Sequence, residues 1–259
     1  MRLSFKTRPQ HSDWQAIVDF WKEGDRIETY DAGWTFDHLD PIFSDRPGPV
    51  FEGWTMLAAL SGIVERIRLG VMVTGNTYRH PSVLANMAAT LDVASGGRLE
   101  IGLGTGWVEA EHLAYGIPLP SWKERFDRLE ETCEILHLLF VTDVADFSGS
   151  FYRLEGARAL PKPLQRPHPP IIIGGTGEKR TLRIAALWAD EWNLPGGDPD
   201  VLRHKVEVLH QHCAEVGRDP SEIEVSTKIP ADGDPGALAE LVGQLREAGA
   251  GHIIAMFEA

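Results

Sequence analysis

The chain has 259 residues, 43% of them apolar and 24% charged, which suits one α/β barrel with a large buried core. Its 25 Lys+Arg against 38 Asp+Glu give a net charge of -13, and no basic cluster interrupts that excess, which argues against a nucleic-acid partner. The N-terminus lacks the apolar core of a signal peptide, and no stretch reaches the roughly 18 apolar residues of a membrane span. Cys133 and Cys213 fall at apolar helical positions, as packing thiols in a reducing compartment do. A cytoplasmic protein with no membrane partner is expected.

Short apolar runs alternate with helical patterns from end to end. Residues 3–6 predict a first strand and 12–24 a helix; 29–36 predict a second strand and 51–64 a second helix. The run RLGVMVT at 68–74 predicts a third strand, with a helix opening at Pro81 and carrying Leu84, Met87, Ala88 and Leu91 on one face. A fourth strand spans 99–103. A loop follows it, then a helix striped by Phe126, Leu129, Cys133, Leu136 and Phe140. Residues 147–160, bounded by Gly and Pro, predict a hairpin or loop excursion. Strands at 170–174, 191–194, 223–227 and 252–256 alternate with helices over 181–188, 202–216 and 237–248.

Eight nearly continuous apolar strands with intervening helices predict a parallel sheet covered by helices, and eight is the number that closes a (β/α)8 TIM barrel. An open doubly wound sheet is the competing arrangement. The sequence ends three residues past the eighth strand, so the expected barrel, a single domain over 1–259, lacks its last helix.

In such a barrel, chemistry sits beyond the carboxyl ends of the strands. Asp37-His38 follows strand two, where a histidine can exchange a proton near neutral pH and a carboxylate can orient it; a strand end with a loop histidine is the plainer reading. Met72, Val73 and Asn76 run off strand three, and Arg79-His80-Pro81 reads as a helix entry. Gly102-Leu103-Gly104-Thr105-Gly106-Trp107 does not fit the GxGxxG spacing, but its glycines allow close approach of a flat ligand. Gly174-Gly175-Thr176-Gly177 precedes a helix and can offer backbone amides to an anion; a tight turn explains part of it equally well. No HxH, HExxH or CxxC spacing occurs, so no metal site is expected, and no GxSxG elbow is present.

Taken together, the segments from Ile67 to Trp107, TFDH, ERFDRLEE and PPIIIGGTGEKRTLRIAALWADEWN resemble the luciferase-like family of flavin- and coenzyme F420-dependent oxidoreductases, in matching order over nearly the whole chain. The resemblance implies an F420-dependent oxidoreductase with Asp37 and His38 beside the reactive ring. It implies a non-prolyl cis peptide at Met72–Val73 backing that ring. Thr105 and Gly106 would contact the ring and ribityl side, Gly174, Gly175 and Thr176 the phosphate, and Asn76 a further part of the coenzyme. Trp34, Trp107 and Trp192 suggest an apolar or aromatic small-molecule substrate. Ile42 and Trp107 stand where the sugar-phosphate dehydrogenase branch has Trp and Glu, which argues against glucose 6-phosphate. Two alternatives stay open: an FMN-dependent monooxygenase, and a non-catalytic flavin-binding protein, which the short barrel favours. A homodimer is expected, the partner covering apolar barrel surface.

Overall fold

The computed structural model describes residues 1–42 and 47–257. Eight parallel strands close into a barrel: β1 (Arg2–Lys6), β2 (Ala32–Thr35), β3 (Arg68–Gly75), β4 (Leu99–Gly104), β7 (Ile171–Gly174), β8 (Glu191–Leu194), β9 (Glu224–Pro230) and β10 (His252–Met256). Each pairs with its sequence neighbour in the barrel, and β10 closes on β1 from Arg2↔His252 to Lys6↔Met256. The open doubly wound sheet is therefore excluded.

Helices α1 (Trp14–Arg26), α2 (Gly53–Ser61), α3 (Pro81–Ala94), α5 (Trp122–Val141), α6 (Thr181–Trp188), α7 (Pro199–Val216) and α8 (Pro235–Glu247) form the outer ring. Their ends follow local chemistry. Asp13, Ser121, Asp198 and Asp234 accept backbone N–H bonds at the starts of α1, α5, α7 and α8, Pro81 opens α3, and Gly217 (φ 73°) ends α7 in the left-handed region. The excursion expected at 147–160 is a two-stranded antiparallel ribbon, β5 (Ala145–Ser148) with β6 (Arg153–Ala157). The loop expected after β4 contains a short helix, α4 (Glu109–Ala114). Its polar sequence EAEHLA has no apolar stripe to announce it. Among the described residues no helix is long and apolar enough to cross a membrane.

Residues alternate along each strand between the helices and the bore. The outward set, including Phe5, Leu69, Val71, Ile101, Ile173, Trp192 and Ile253, joins the main core with the helices. The inward set is layered. In mid-bore, Ala32, Trp34, Met72, Ile172 and Ile254 form a second apolar cluster. Gly70 makes room for it, because a Cβ there would lie 2.5 Å from the Trp34 ring and 2.7 Å from the Glu100 carbonyl oxygen.

At the amino-terminal end the bore is filled by charge. The Arg2 guanidinium donates to Glu100 (2.6 Å), Glu224 (2.9 Å) and Glu191 (3.3 Å); Arg68 also donates to Glu100. Buried His252 bridges Glu191 (3.1 Å) and the Ser4 hydroxyl (2.7 Å). Glu191, Glu224 and His252 lie close enough together to resemble a metal-ligand set, but Arg2 already supplies the positive charge there. Removing that cation leaves buried Glu100 to Arg68 alone and buried Glu191 to His252 alone. Arg2→Met is expected to cost about 3 kcal/mol in chemical denaturation; a variant as stable as wild type would show that the plug is not held by this ion set.

Candidate active site

At the carboxyl end the bore opens into a cavity of about 380 Å³. The strands bring to it Lys6 from β1, Phe36, Asp37 and His38 beyond β2, Met72, Val73 and Gly75 from β3, Gly104 to Trp107 from β4, Gly174 and Gly175 from β7, and Asn193, Lys228 and Met256 from β8, β9 and β10. Expected residues from four separate loops thus meet around one space.

His38 is the best-organised titratable group in it. Its Nδ1 lies 3.0 Å from a carboxylate oxygen of Glu111, on α4. Glu111 is 2% exposed and also accepts from the Leu39 and Asp40 amides and the Tyr78 hydroxyl. Burial alone would raise the Glu111 carboxyl, but the hydrogen bonds from His38, Tyr78 and the Leu39 amide hold it down at about 2. An ionised Glu111 accepts only, so Nδ1 carries the proton and Nε2 is left as the exchangeable nitrogen. Phe36 and Trp107 close on the ring edge-to-face, at 5.1 and 5.9 Å between centroids. This fixes the ring plane as well as its tautomer.

Asp37 plays a different part from the one expected of it. Its carboxylate turns away from His38 and takes a two-pronged bond from Arg79 (2.6 and 2.8 Å) and one from the Gly75 amide (3.0 Å). Burial pushes the Asp37 carboxyl up to about 6, against the pull of Arg79. Arg79 also donates to Glu52, the cap of α2. Asp37 therefore ties the end of β2 to the end of β3, and Glu111 is the carboxylate that orients His38. Arg79, read from sequence as a simple helix entry, is the centre of this tie.

The Met72–Val73 peptide is cis, and the pairing of β3 with β4 shifts register between Val71 and Thr74. Val73 is wedged between two glycines. A Cβ at Gly104 would lie 2.5 Å from one of its methyls, and a Cβ at Gly174 2.7 Å from the other. Those glycines make the wall behind the cavity smooth. Beside it, Gly175 (φ 137°) turns the chain towards α6, which begins with no side-chain cap; the Gly175 amide donates to the Asn193 carbonyl (3.1 Å) and the Leu182 amide to the Gly177 carbonyl (3.0 Å). Thr105 and Gly106 line the cavity. Arg125 holds the Gly106 carbonyl at 2.5 Å.

Four expected residues stand elsewhere. Trp34 faces inward but lies below the cavity floor, 0% exposed in the mid-bore cluster. Trp192 faces outward, one residue out of phase; its indole N–H donates to the Gly175 carbonyl (2.9 Å), and its neighbour Asn193 lines the cavity instead. Neither tryptophan lines the cavity, whereas Trp107 does. Asn76, just beyond β3, is buried outside the cavity lining, with its side-chain amide nitrogen unpaired among the described residues. Thr176 is exposed outside the cavity lining. Sequence reasoning passed over Glu111, Tyr78, Lys6 and Lys228. The alternation of polar Glu224, Ser226 and Lys228 with buried Val225, Thr227 and Ile229 on β9 was the available signal for the last.

The described fold is a closed parallel barrel whose carboxyl-end cavity is lined by a glycine-smoothed apolar wall and by His38, held by Glu111. Residues 2–232 match the family model described as luciferase-like monooxygenase, and the chain belongs to that family. It is 28% identical over 238 residues to an F420-dependent glucose-6-phosphate dehydrogenase of Microbacterium testaceum, covering 91% of this chain and 69% of the relative. It is 30% identical over 216 residues to an FMNH(2)-dependent dimethylsulfone monooxygenase of Pseudomonas putida, covering 77% of this chain and 58% of the relative. The fold matches that of an F420-dependent secondary alcohol dehydrogenase, solved with an F420-acetone adduct, at a TM-score of 0.89 and 17% identity over 98% of this chain and 92% of the other. The chain spans 60% of the length of the first curated relatives it matches.

The wedge of Val73 between glycines is testable on its own. Gly174→Ala is expected to cost about 1–3 kcal/mol by overpacking, and Val73→Ala in the same chain to recover at least about 0.5 kcal/mol beyond additivity. Strict additivity in denaturant titrations would mean the two residues do not press on each other.

Proposed function

We propose that this chain is an oxidoreductase that uses coenzyme F420 to move a hydride to or from a small organic substrate, with His38 moving the accompanying proton. The observation that carries the reading is the Glu111–His38 pair at 3.0 Å, which leaves Nε2 as the open nitrogen of a histidine that lines the cavity. A ring nitrogen held in one tautomer can give a proton to a forming alkoxide, or take one from an alcohol, near neutral pH.

The residues present fit a flat tricyclic coenzyme. The Met72–Val73 wall, kept smooth by Gly104 and Gly174, offers an apolar face, and Thr105 and Gly106 stand at its edge. The glycine turn at Gly174–Gly175 and Thr176, leading to the α6 start that no side chain caps, would take the phosphate, and Asn76, just beyond β3, holds a buried amide nitrogen without a partner among the described residues. When bound, the coenzyme supplies the redox chemistry. The chain's own share is to orient His38 through Glu111, to fix the end of β3 through Asp37 and Arg79, and to keep water from the reacting face with Phe36, Ile42 and Trp107.

FMN is the alternative coenzyme, since relatives of both kinds resemble the chain; a non-catalytic flavin-binding protein would leave the histidine held by Glu111 without a use. A cytoplasmic homodimer acting on a small molecule belongs to the same proposal. Fluorescence titration with oxidised F420 and, in parallel, FMN is expected to give micromolar binding of F420 alone. His38→Ala and Glu111→Gln are then expected to retain that binding and lower turnover by about 10²-fold or more. Preference for FMN would move the chain to the monooxygenases, and binding of neither would overturn the coenzyme assignment.

A further inference from the structure

The cavity has two unlike sides. The wall of β3, β4 and β7 is apolar and glycine-smooth. The opposite side, from β1, β9 and the loop after β1, presents Lys6, Lys228 and Arg8. Asp37 is the one carboxylate among the described lining residues, and Arg79 already engages it from both oxygens. A chain with a net charge of -13 thus places Lys6 and Lys228 in one cavity, with no acid set against Lys228 among the described residues.

Lys228 points this out most clearly. It comes from the inward set of β9, and among the described residues it makes no hydrogen bond and no ion pair. Among the described lining residues of the strands beside it, none is acidic. β8 contributes Asn193, β10 contributes Met256, and β1 with its following loop contributes Lys6 and Arg8. Lys6 is 9% exposed and donates to the Met72 carbonyl (2.6 Å), which anchors it over the floor of the cavity. Enclosing two ammonium groups beside one another, one of them with a carbonyl as its hydrogen-bond partner and neither facing a carboxylate among the described lining residues, is costly, and it persists where a ligand repays it. Burial and the mutual repulsion of these cations pull Lys228 down to about 8 and Lys6 well below the ordinary lysine range.

We propose that Lys228, with Lys6 beside it, is the subsite for an oxyanion carried by the substrate, so that the substrate is an organic anion with an apolar body: a carboxylate, phosphate or sulfonate whose reacting carbon lies between this cationic side and the Met72–Val73 wall. The proposal rests on the coenzyme reading above for what occupies that wall. Phe36, Ile42, Trp107 and Met256 give the apolar body its contacts. An ammonium meeting an oxyanion in a cavity of low polarity makes one of the stronger hydrogen bonds available to a protein, and it orients the substrate as well as holding it.

Calorimetric titration of the purified chain with benzoate and with phenylphosphonate, against uncharged benzyl alcohol, tests this with and without coenzyme. The anions are expected to bind at least about tenfold more tightly than the alcohol, a preference that Lys228→Gln abolishes and Lys228→Arg retains. F420 affinity is expected to change by less than about twofold in Lys228→Gln, and its folding stability to hold or rise as a buried charge is removed. The wild-type preference is also expected to fade as pH rises through about 8. No anion preference in wild type would overturn the proposal, as would a preference that survives Lys228→Gln. A parallel loss of F420 and anion affinity in Lys228→Gln would assign the cations to the coenzyme instead. If F420 fails to bind at all, the coenzyme reading falls, while anion binding to the coenzyme-free chain still decides this one.

Discussion

Closing eight parallel strands into one barrel forces every second side chain into a bore that has room for few of them. In this chain the bore is filled in three ways along its length. Arg2, Arg68, Glu100, Glu191, Glu224 and His252 neutralise one another at the amino-terminal end. Trp34, Met72, Ile172 and Ile254 pack the middle. At the carboxyl end the inward positions are occupied by glycines and long polar chains, Gly104, Gly174, Asn193, Lys6 and Lys228, which leave space rather than fill it. The cavity is where the packing of the bore stops. Stability and chemistry are divided along one axis.

Within that space, two hydrogen-bond sets do separate jobs. Glu111 gathers His38, Tyr78 and two backbone amides, and so ties the β2 loop to α4 and the end of β3 while fixing which imidazole nitrogen stays open. Asp37, Arg79 and Glu52 join β2, β3 and α2 on the other side of the same loop. The histidine is thus held by groups that are themselves held. Such support would keep His38, in the role proposed for it, from needing further ordering when a substrate arrives.

Much of this is legible in the amino-acid sequence. The barrel strands announce themselves as apolar runs, and 191–194 and 252–256 fall where expected, because parallel strands buried on both faces leave little room for polar residues. The Asp37-His38 pair, the Met72–Val73 wall and the glycine turn at 174–175 were visible as motifs at strand ends. What stayed hidden depended on phase and on distance. Trp34 and Trp192 sit one layer too deep and one residue out of register, differences that a strand end known only to within a residue or two does not resolve. Glu111 lies 73 residues from His38 in a short polar helix, and only the closed barrel brings the two together. Lys6 and Lys228, 222 positions apart by their numbers, become neighbours of one cavity for the same reason.

The central claim is that a deazaflavin lies along the Met72–Val73 wall with its reactive face towards His38. A crystal structure of the chain soaked or grown with F420 tests it most directly. The account predicts the ring against Val73, its phosphate at Gly174–Gly175, and His38 Nε2 facing the ring while Nδ1 stays on Glu111. A coenzyme bound elsewhere, or a His38 that leaves Glu111 when the ring arrives, would contradict it.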